Sequence, residues 1–415
     1  MATTCTSPET STPKMNAETK NSTPAVATPV SVLTGGFDRP YAFGLTTSLA
    51  AKGIRLEVVG SDEVDSPEMH NTPGLNFLNL QKNSRGSNRI AKILRVLSFY
   101  VRQCWYLTFA KSKIFHILWN NKPWFSDRVV LMLYYKVLGK KIVLTVHNVN
   151  AEKRDGIDSW WNRLTLKIQY KLVDHLFVHT EKMKQELLDQ FGISSKVTVI
   201  PFGINNSIPE VGLTSAEAKK QLGLAKSDKT ILFFGAIRPY KGLEYLAEAF
   251  KKLAGDPNYK LIIAGEPKKD CAEYIQKIQQ GLQDEVSRKQ VIEQIRHVGD
   301  DEIELYFKAA DVLALSYTTV FQSGVLFLAY SFGLPVVASD VGAVREDVIE
   351  GETGFLCKPC DENDLSRVLN QYFQSDLFKN LDEKRQDIRA YVEEGHSWTT
   401  VAEITNNVYA ELLRN

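Results

Sequence analysis

The chain has 415 residues, a formal net charge of +1, 44% hydrophobic and 24% charged residues. That length makes roughly two to three domains with sizeable cores, and a charge so near zero excludes nucleic-acid binding by the molecule as a whole. The five cysteines (Cys5, Cys104, Cys271, Cys357 and Cys360) are few and scattered, which excludes a disulfide scaffold and fits a reducing compartment. Cys357 and Cys360 have CxxC spacing, but no second pair or nearby histidine completes a zinc site.

Residues 1–28 are rich in Ser, Thr, Pro and Ala and contain no apolar run, so they lack the core of a signal peptide and read as a disordered tail. Val30–Leu33 then forms a short apolar strand that runs into Gly35-Gly36. A helix over 40–52 and a strand over 55–59 follow, the opening of a Rossmann-like sheet. The fingerprint G-x-G-x-x-G is absent, which argues against a nicotinamide or flavin site. Further strands are predicted at 75–80, 114–119, 141–147, 175–179 and 196–200, with helices between them at 88–110, 126–138, 159–173 and 181–191. Strands of nearly continuous apolar residues alternating with helices mean a parallel sheet covered on both faces.

This unit closes near Pro201-Phe202-Gly203. Residues 204–228 are polar and turn-rich around a short helix, 215–222, and read as a linker. The pattern then restarts with the strand 230–234, the turn GAIRPYKG (235–242), a helix to 253, and the strand 260–264. A helix over 271–287, the strand 292–297, the helix 302–310 and the strand 312–315 come next. A charge-free helix, 325–331, is opened by Phe321-Gln322-Ser323-Gly324 and closed by Gly333. The strand 336–339 follows, and a last helix begins at Thr399, after Trp398. The domains expected are a first Rossmann-like unit at 29–203, the linker at 204–228, a second unit at 229–396 and a terminal helix at 397–415.

In open parallel sheets ligands bind outside the carboxyl ends of the strands. Arg238 and Lys241 follow the first strand of the second unit, Glu266 the next, Val298 the one after, and Gln322, Ser323 and Gly324 the fourth. Two cations and a helix N-terminus suit a diphosphate, because each offers positive charge or N–H donors. The alternative is an ordinary αβ unit with surface charges at a turn. In the first unit His147 directly follows the strand ending in VLTV and faces the same cleft, where an imidazole polarises a hydroxyl or takes a proton near neutral pH; a buried structural histidine is the other reading. His116, His175 and His179 sit in apolar strands and are expected in the core. Residues 88–171 carry sixteen lysines and arginines against four acids, interleaved with Trp105, Tyr106, Trp124, Phe125, Trp160 and Trp161. Such a surface suits an anionic membrane leaflet, or else the charges are solvated helix faces and the aromatics core. No stretch of 18 apolar residues exists, the nearest (93–110) being broken by Arg95 and Arg102, so no membrane span is predicted.

These motifs resemble the family 4 retaining glycosyltransferases over residues 30–413. The segment GLPVVASDVGAVREDVIEGETGF (333–355) is similar to the family's donor-domain signature, FFGAIRPYKG (233–242) to its diphosphate-contacting turn, VLTVHN to the strand bearing its acceptor-side histidine, and Gly35-Gly36 to its N-domain glycine loop. The resemblance implies the α/β GT-B fold, two facing Rossmann-like domains around a cleft with a C-terminal helix crossing back. It also implies transfer of a sugar from a nucleotide-sugar to a hydroxyl of a saccharide or lipid-linked acceptor, with retention and with the leaving phosphate as base. No metal and no cofactor is implied, the nucleotide-sugar being a substrate; no nucleic-acid partner is expected, and the setting is the cytoplasm, at the inner face of the membrane. Catalytic roles then fall on His147, Arg238 and Lys241, and donor contacts on Gly35, Gly36, Glu266, Val298, Gln322, Ser323 and Gly324. The chain departs from the family where two glutamates eight positions apart are usual: Val320 and Leu328 stand there. The usual arginine of the turn falls on Ala236, with Arg238 two positions on, and Glu346 matches a further family position. The chain is similar to a QSG-type subset in which Gln322 and Ser323 supply the contacts. A non-catalytic sugar-nucleotide-binding subunit is the alternative from another class, and an epimerase of the same fold the alternative among enzymes.

Overall fold

The computed structural model describes residues 28–414 except for 36–37, 82–88, 122–124, 155–156, 194–195, 205–207, 269–270 and 321. Two parallel sheets organise it. The first has seven strands: β1 (Val30–Leu33), β2 (Leu56–Ser61), β3 (Leu75–Gln81), β4 (Ile114–Ile117), β5 (Lys141–Thr145), β6 (His175–Val178) and β7 (Val197–Val199). Their order is β3-β2-β1-β4-β5-β6-β7, with Val32 level with Val58 on one side and with His116 on the other. The second has six: β8 (Lys229–Phe234), β9 (Tyr259–Ala264), β10 (Val291–Gln294), β11 (Val312–Leu315), β12 (Val336–Ser339) and β13 (Gly354–Cys357), ordered β10-β9-β8-β11-β12-β13. Both sheets reverse winding beside their first strand, between β1 and β4 and between β8 and β11. That reversal leaves a crevice at the carboxyl ends. The apolar strands predicted from sequence fall where expected because both faces of each sheet are covered by helices, so alternation is lost and whole strands are apolar.

The structure differs from the expected elements in three places. The helix predicted over 271–287 breaks at Leu282 into Ala272–Gly281 and Gln283–Ser287. The stretch between Phe355 and Trp398, unassigned above beyond the family signature, forms helices Glu362–Gln374, Asp376–Lys379 and Leu381–His396. The helix of the expected linker, Ser215–Gln221, is packed into the second domain: Ala218 is buried, the Lys219 ammonium pairs with Asp311 at 2.9 Å, and the Glu304 carboxylate accepts from the amides of Val211, Gly212 and Leu213. Polar composition concealed this, because here the polar groups are satisfied by one another rather than by water.

The chain crosses back at its end. Trp398 is buried in the first domain's core and its indole N–H donates to the Ile204 carbonyl at 2.6 Å. The helix Trp398–Arg414 lies along the helix Arg39–Ala51, and the Tyr409 hydroxyl hydrogen-bonds His116 Nδ1 at 2.6 Å, while His116 Nε2 meets Thr145 Oγ1 at 2.8 Å. Burial without a counter-charge pushes His116 down to about 3, so it is a neutral core residue, as its strand position suggested. The two domains also touch through Phe202 stacked on Phe327, with centroids 5.5 Å apart. The cleft between the sheets is thus a defined space.

Candidate active site

The second domain's contribution begins at the turn after β8. Gly235 has φ +94°, and a Cβ there would sit 3.0 Å from the Lys241 ammonium; glycine alone lets that side chain fold back over the turn. The Lys241 ammonium lies near the rings of Phe233 and Tyr317, buried, and its only hydrogen bond among the described residues goes to the Phe234 carbonyl at 3.3 Å. Among the described residues no carboxylate pairs with it or with Arg238. Desolvation first, and Arg238 second, lower the Lys241 pKa to about 8. Two cations that raise each other's energy mark a place prepared for an anion.

The helix Gly324–Ser331 aims its N-terminus at the same place. Its N-cap, Ser323, makes no side-chain cap; the hydroxyl is held instead by Tyr317 at 2.8 Å. The first amides of the helix are therefore not satisfied by the cap side chain. Val325 lies 3.7 Å from the position of a Gly235 Cβ, so helix start and turn are adjacent. The helix reads as charge-free because it is buried all round, with Phe327, Ala329 and Tyr330 sealed in the core. Glu266 is exposed beside the turn, its carbonyl accepting from the Ile237 amide at 2.9 Å. Val298 has a buried side chain, so only the backbone there is polar.

The first domain contributes an aromatic wall. Gly35, at φ +62°, lets the chain pass so close to Trp119 that a Cβ would meet its carbonyl oxygen at 2.5 Å. Gly36 lies outside the described residues, as does Phe321. Trp119 stacks on His147 at 4.1 Å between centroids, and Tyr41 meets that imidazole edge-on at 4.7 Å. His147 Nδ1 and His179 Nε2 are 3.1 Å apart, and His179 Nδ1 is 3.3 Å from the Ile200 carbonyl. A carbonyl can only accept, so His179 carries its proton on Nδ1 and accepts on Nε2. His147 then donates from Nδ1, which leaves its Nε2 a bare acceptor, buried and without a partner. Desolvation holds His147 well below the usual imidazole range and His179 at about 4. Of the two roles expected of His147, a neutral imidazole with an open acceptor suits polarising a hydroxyl. His179, expected in the core, belongs to this pair; the signal was its place directly after β6, matching that of His147 beyond β5.

The start of the helix Gly324–Ser331 faces the first domain across a cavity of about 200 Å³, lined by Asp38, Tyr41 and Trp398 from one side and Gly324, Val325 and Leu328 from the other; Arg238, Lys241 and His147 are not in its lining. Apolar Leu328 and the half-buried Val320 bring no carboxylate. Nearby, both amide atoms of Gln322 are buried without a well-formed hydrogen bond. Burial pushes the adjacent Asp347 carboxyl up to about 7, against the opposing pull of that amide. Glu346 spans the domains, accepting from the Lys182 amide at 3.3 Å while the Lys182 ammonium donates to the Gly342 carbonyl at 2.7 Å.

Comparison with known proteins agrees with this layout. The model of glycosyltransferase family 4 matches residues 40–207, and that of glycosyl transferases group 1 matches 214–394. The chain has the GT-B fold, and each of its two domains matches a glycosyltransferase family model. An uncharacterized glycosyltransferase of Methanocaldococcus jannaschii is 30% identical to this GT-B chain over 241 residues, 55% of this chain and 58% of that relative's length. Among solved structures, sucrose-phosphate synthase of Thermosynechococcus elongatus superposes with TM-score 0.74 at 19% identity, over 93% of this chain and 99% of that one. HepE of Anabaena, in complex with UDP-glucose, superposes with TM-score 0.70 at 16% identity, over 93% and 99%. Identities this low speak for the shared fold.

Proposed function

We propose that the protein transfers a sugar from a nucleotide-sugar donor to a hydroxyl acceptor with retention at the anomeric carbon, in the synthesis of a surface polysaccharide or glycolipid. One observation carries the reading. Lys241 is a buried ammonium without a carboxylate partner among the described residues, beside Arg238 and a helix N-terminus that its N-cap side chain leaves open. That is an arrangement a diphosphate would complete. Departure of the nucleoside diphosphate builds negative charge, and Arg238, Lys241 and the amides at Ser323-Gly324 are placed to stabilise it. Gln322 and Ser323 take the donor contacts expected of a QSG-type member, and Gly35 lets the first domain's backbone approach the phosphates. On the opposite wall, His147 Nε2 accepts a hydrogen bond from a substrate hydroxyl, while the leaving phosphate oxygen takes the acceptor's proton on the face it departs from. Closure of the walls excludes water that would hydrolyse the donor.

The test is a panel of UDP-, GDP- and ADP-sugars, followed by donor hydrolysis and transfer. Turnover with at least one donor, lost in Lys241→Ala with the fold intact, is expected. Val320 and Leu328 favour a second reading, a non-catalytic sugar-nucleotide-binding subunit; binding without turnover across the panel would select it.

A further inference from the structure

The first domain carries an apolar face that no other described residue covers. Of the eighteen exposed large apolar side chains among the described residues, ten lie on the two helices Arg89–Phe109 and 126–137. On the first, Ile93, Leu97, Val101, Trp105 and Phe109 recur every four residues and form one stripe, with Val101 69% and Trp105 71% exposed. On the second, Val130, Leu133 and Val137 are likewise exposed. The helices lie side by side: Tyr100 donates to Asp127, Gln103 to the Tyr135 hydroxyl at 3.1 Å, and the Thr108 and Tyr134 hydroxyls meet at 2.5 Å. The two stripes therefore make one patch, larger than scattered surface apolar residues explain.

The charges around it say what covers it. Asp127 is the only acid on either helix, and it is buried, bonded to Tyr100 and Asn121. Exposed Arg102, Lys111 and Lys113 border the patch. A second copy of the chain would set these cations against themselves. An acidic lipid surface complements them, and its acyl boundary takes the apolar stripe. No helix among the described residues is long and apolar enough to cross a membrane, so the fit is to a helix lying in the interface.

We infer that the helices Arg89–Phe109 and 126–137 dock this protein on an anionic bilayer leaflet. The inference rests on the proposed sugar transfer in one respect: the opposite face of the first helix, at Phe99 and Gln103, lines a cavity with Gly35, Trp119 and Asn120 at the carboxyl edge of the first sheet. Docking on that surface sets the aromatic acceptor wall at the membrane, where a lipid-linked acceptor is delivered.

The experiment floats the full chain with vesicles of phosphatidylcholine alone and of an equimolar mixture with phosphatidylglycerol, and in parallel measures inorganic pyrophosphate binding. Wild type is expected on the mixed vesicles and not on pure phosphatidylcholine. The triple variant Leu97→Glu, Val101→Glu, Trp105→Glu is expected to lose at least about tenfold in partitioning, with pyrophosphate binding unchanged. Changing Arg102, Lys111 and Lys113 singly to Gln is expected to weaken partitioning by about fivefold each. Wild type that ignores anionic vesicles, or a triple variant that floats as well as wild type, overturns the proposal. So does a wild-type dimer that the triple variant dissolves, since the face would then be a self-association surface. Vesicle binding without pyrophosphate binding leaves docking standing and removes the transferase reading instead.

Discussion

The two walls of the cleft solve opposite electrostatic problems. On the second domain, Lys241 is kept charged below pH 8 in a place that penalises its charge, with no carboxylate among the described residues to relieve it. On the first domain, the same burial strips His147 and His179 of charge, and a chain of hydrogen bonds ending on the Ile200 carbonyl decides which nitrogen is bare. One wall stores unsatisfied positive charge for an anion; the other holds a neutral acceptor in a fixed direction. Identical desolvation has different consequences because Lys241 stays largely charged at neutral pH even with a lowered pKa, whereas an imidazole starts within a unit of neutrality.

Lys241→Ala should break the contrast most. Its loss removes a charge at the developing diphosphate, and turnover should fall by about 10²–10³-fold. Thermal stability of the ligand-free protein should hold or rise, since a desolvated ammonium is gone; calorimetry and single-turnover kinetics on the same sample check both. His147→Ala comes next. A neutral hydrogen-bond acceptor contributes less than a base, so a loss of about ten- to a hundredfold in kcat with pyrophosphate binding unchanged is expected. Full activity in that variant would remove its role.

His179→Phe sharpens the first wall. It keeps the packing against Tyr41 and Phe202 but frees the tautomer of His147. A several-fold fall in kcat with little change in donor affinity is expected, and nitrogen-15 shifts of His147 should turn from a single tautomer to a mixture. The smallest effect is on pH. The folded pKa of Lys241 lies below its unfolded value, so its charge costs stability below about pH 8, and that cost fades as pH rises from 8 toward 10.5. Anion binding needs the charged form. Pyrophosphate affinity should therefore be flat below pH 8 and fall by at most about tenfold per unit above it, a slope that Lys241→Met should abolish.

Much of this was legible in the residues. Continuous apolar strands between helices gave two parallel sheets, and strand ends gave Arg238, Lys241, Ser323 and His147, because a parallel sheet exposes one edge to ligands. The turn residues Gly235 and Gly333 and the charge-free run 325–331 were local signals of local geometry. What lay beyond reach depended on neighbours distant in sequence. His179 is the buried residue its strand suggested, but its partners, Ile200 and His147 at its two nitrogens, could not be read from the sequence. The segment 204–228 looked like a linker until Lys219 met Asp311 and Glu304 met the amides of 211–213. The sequence by itself determined the fold class and the sheet edges from which charge reaches the cleft. Only the tertiary structure decided that Lys241 is buried with no counter-charge among the described residues, which nitrogen of His147 is bare, and that the stripe from Ile93 to Phe109 faces outward. Periodicity reports that one side of a helix is apolar, but whether protein or an outside partner covers that side depends on the packing of the whole chain.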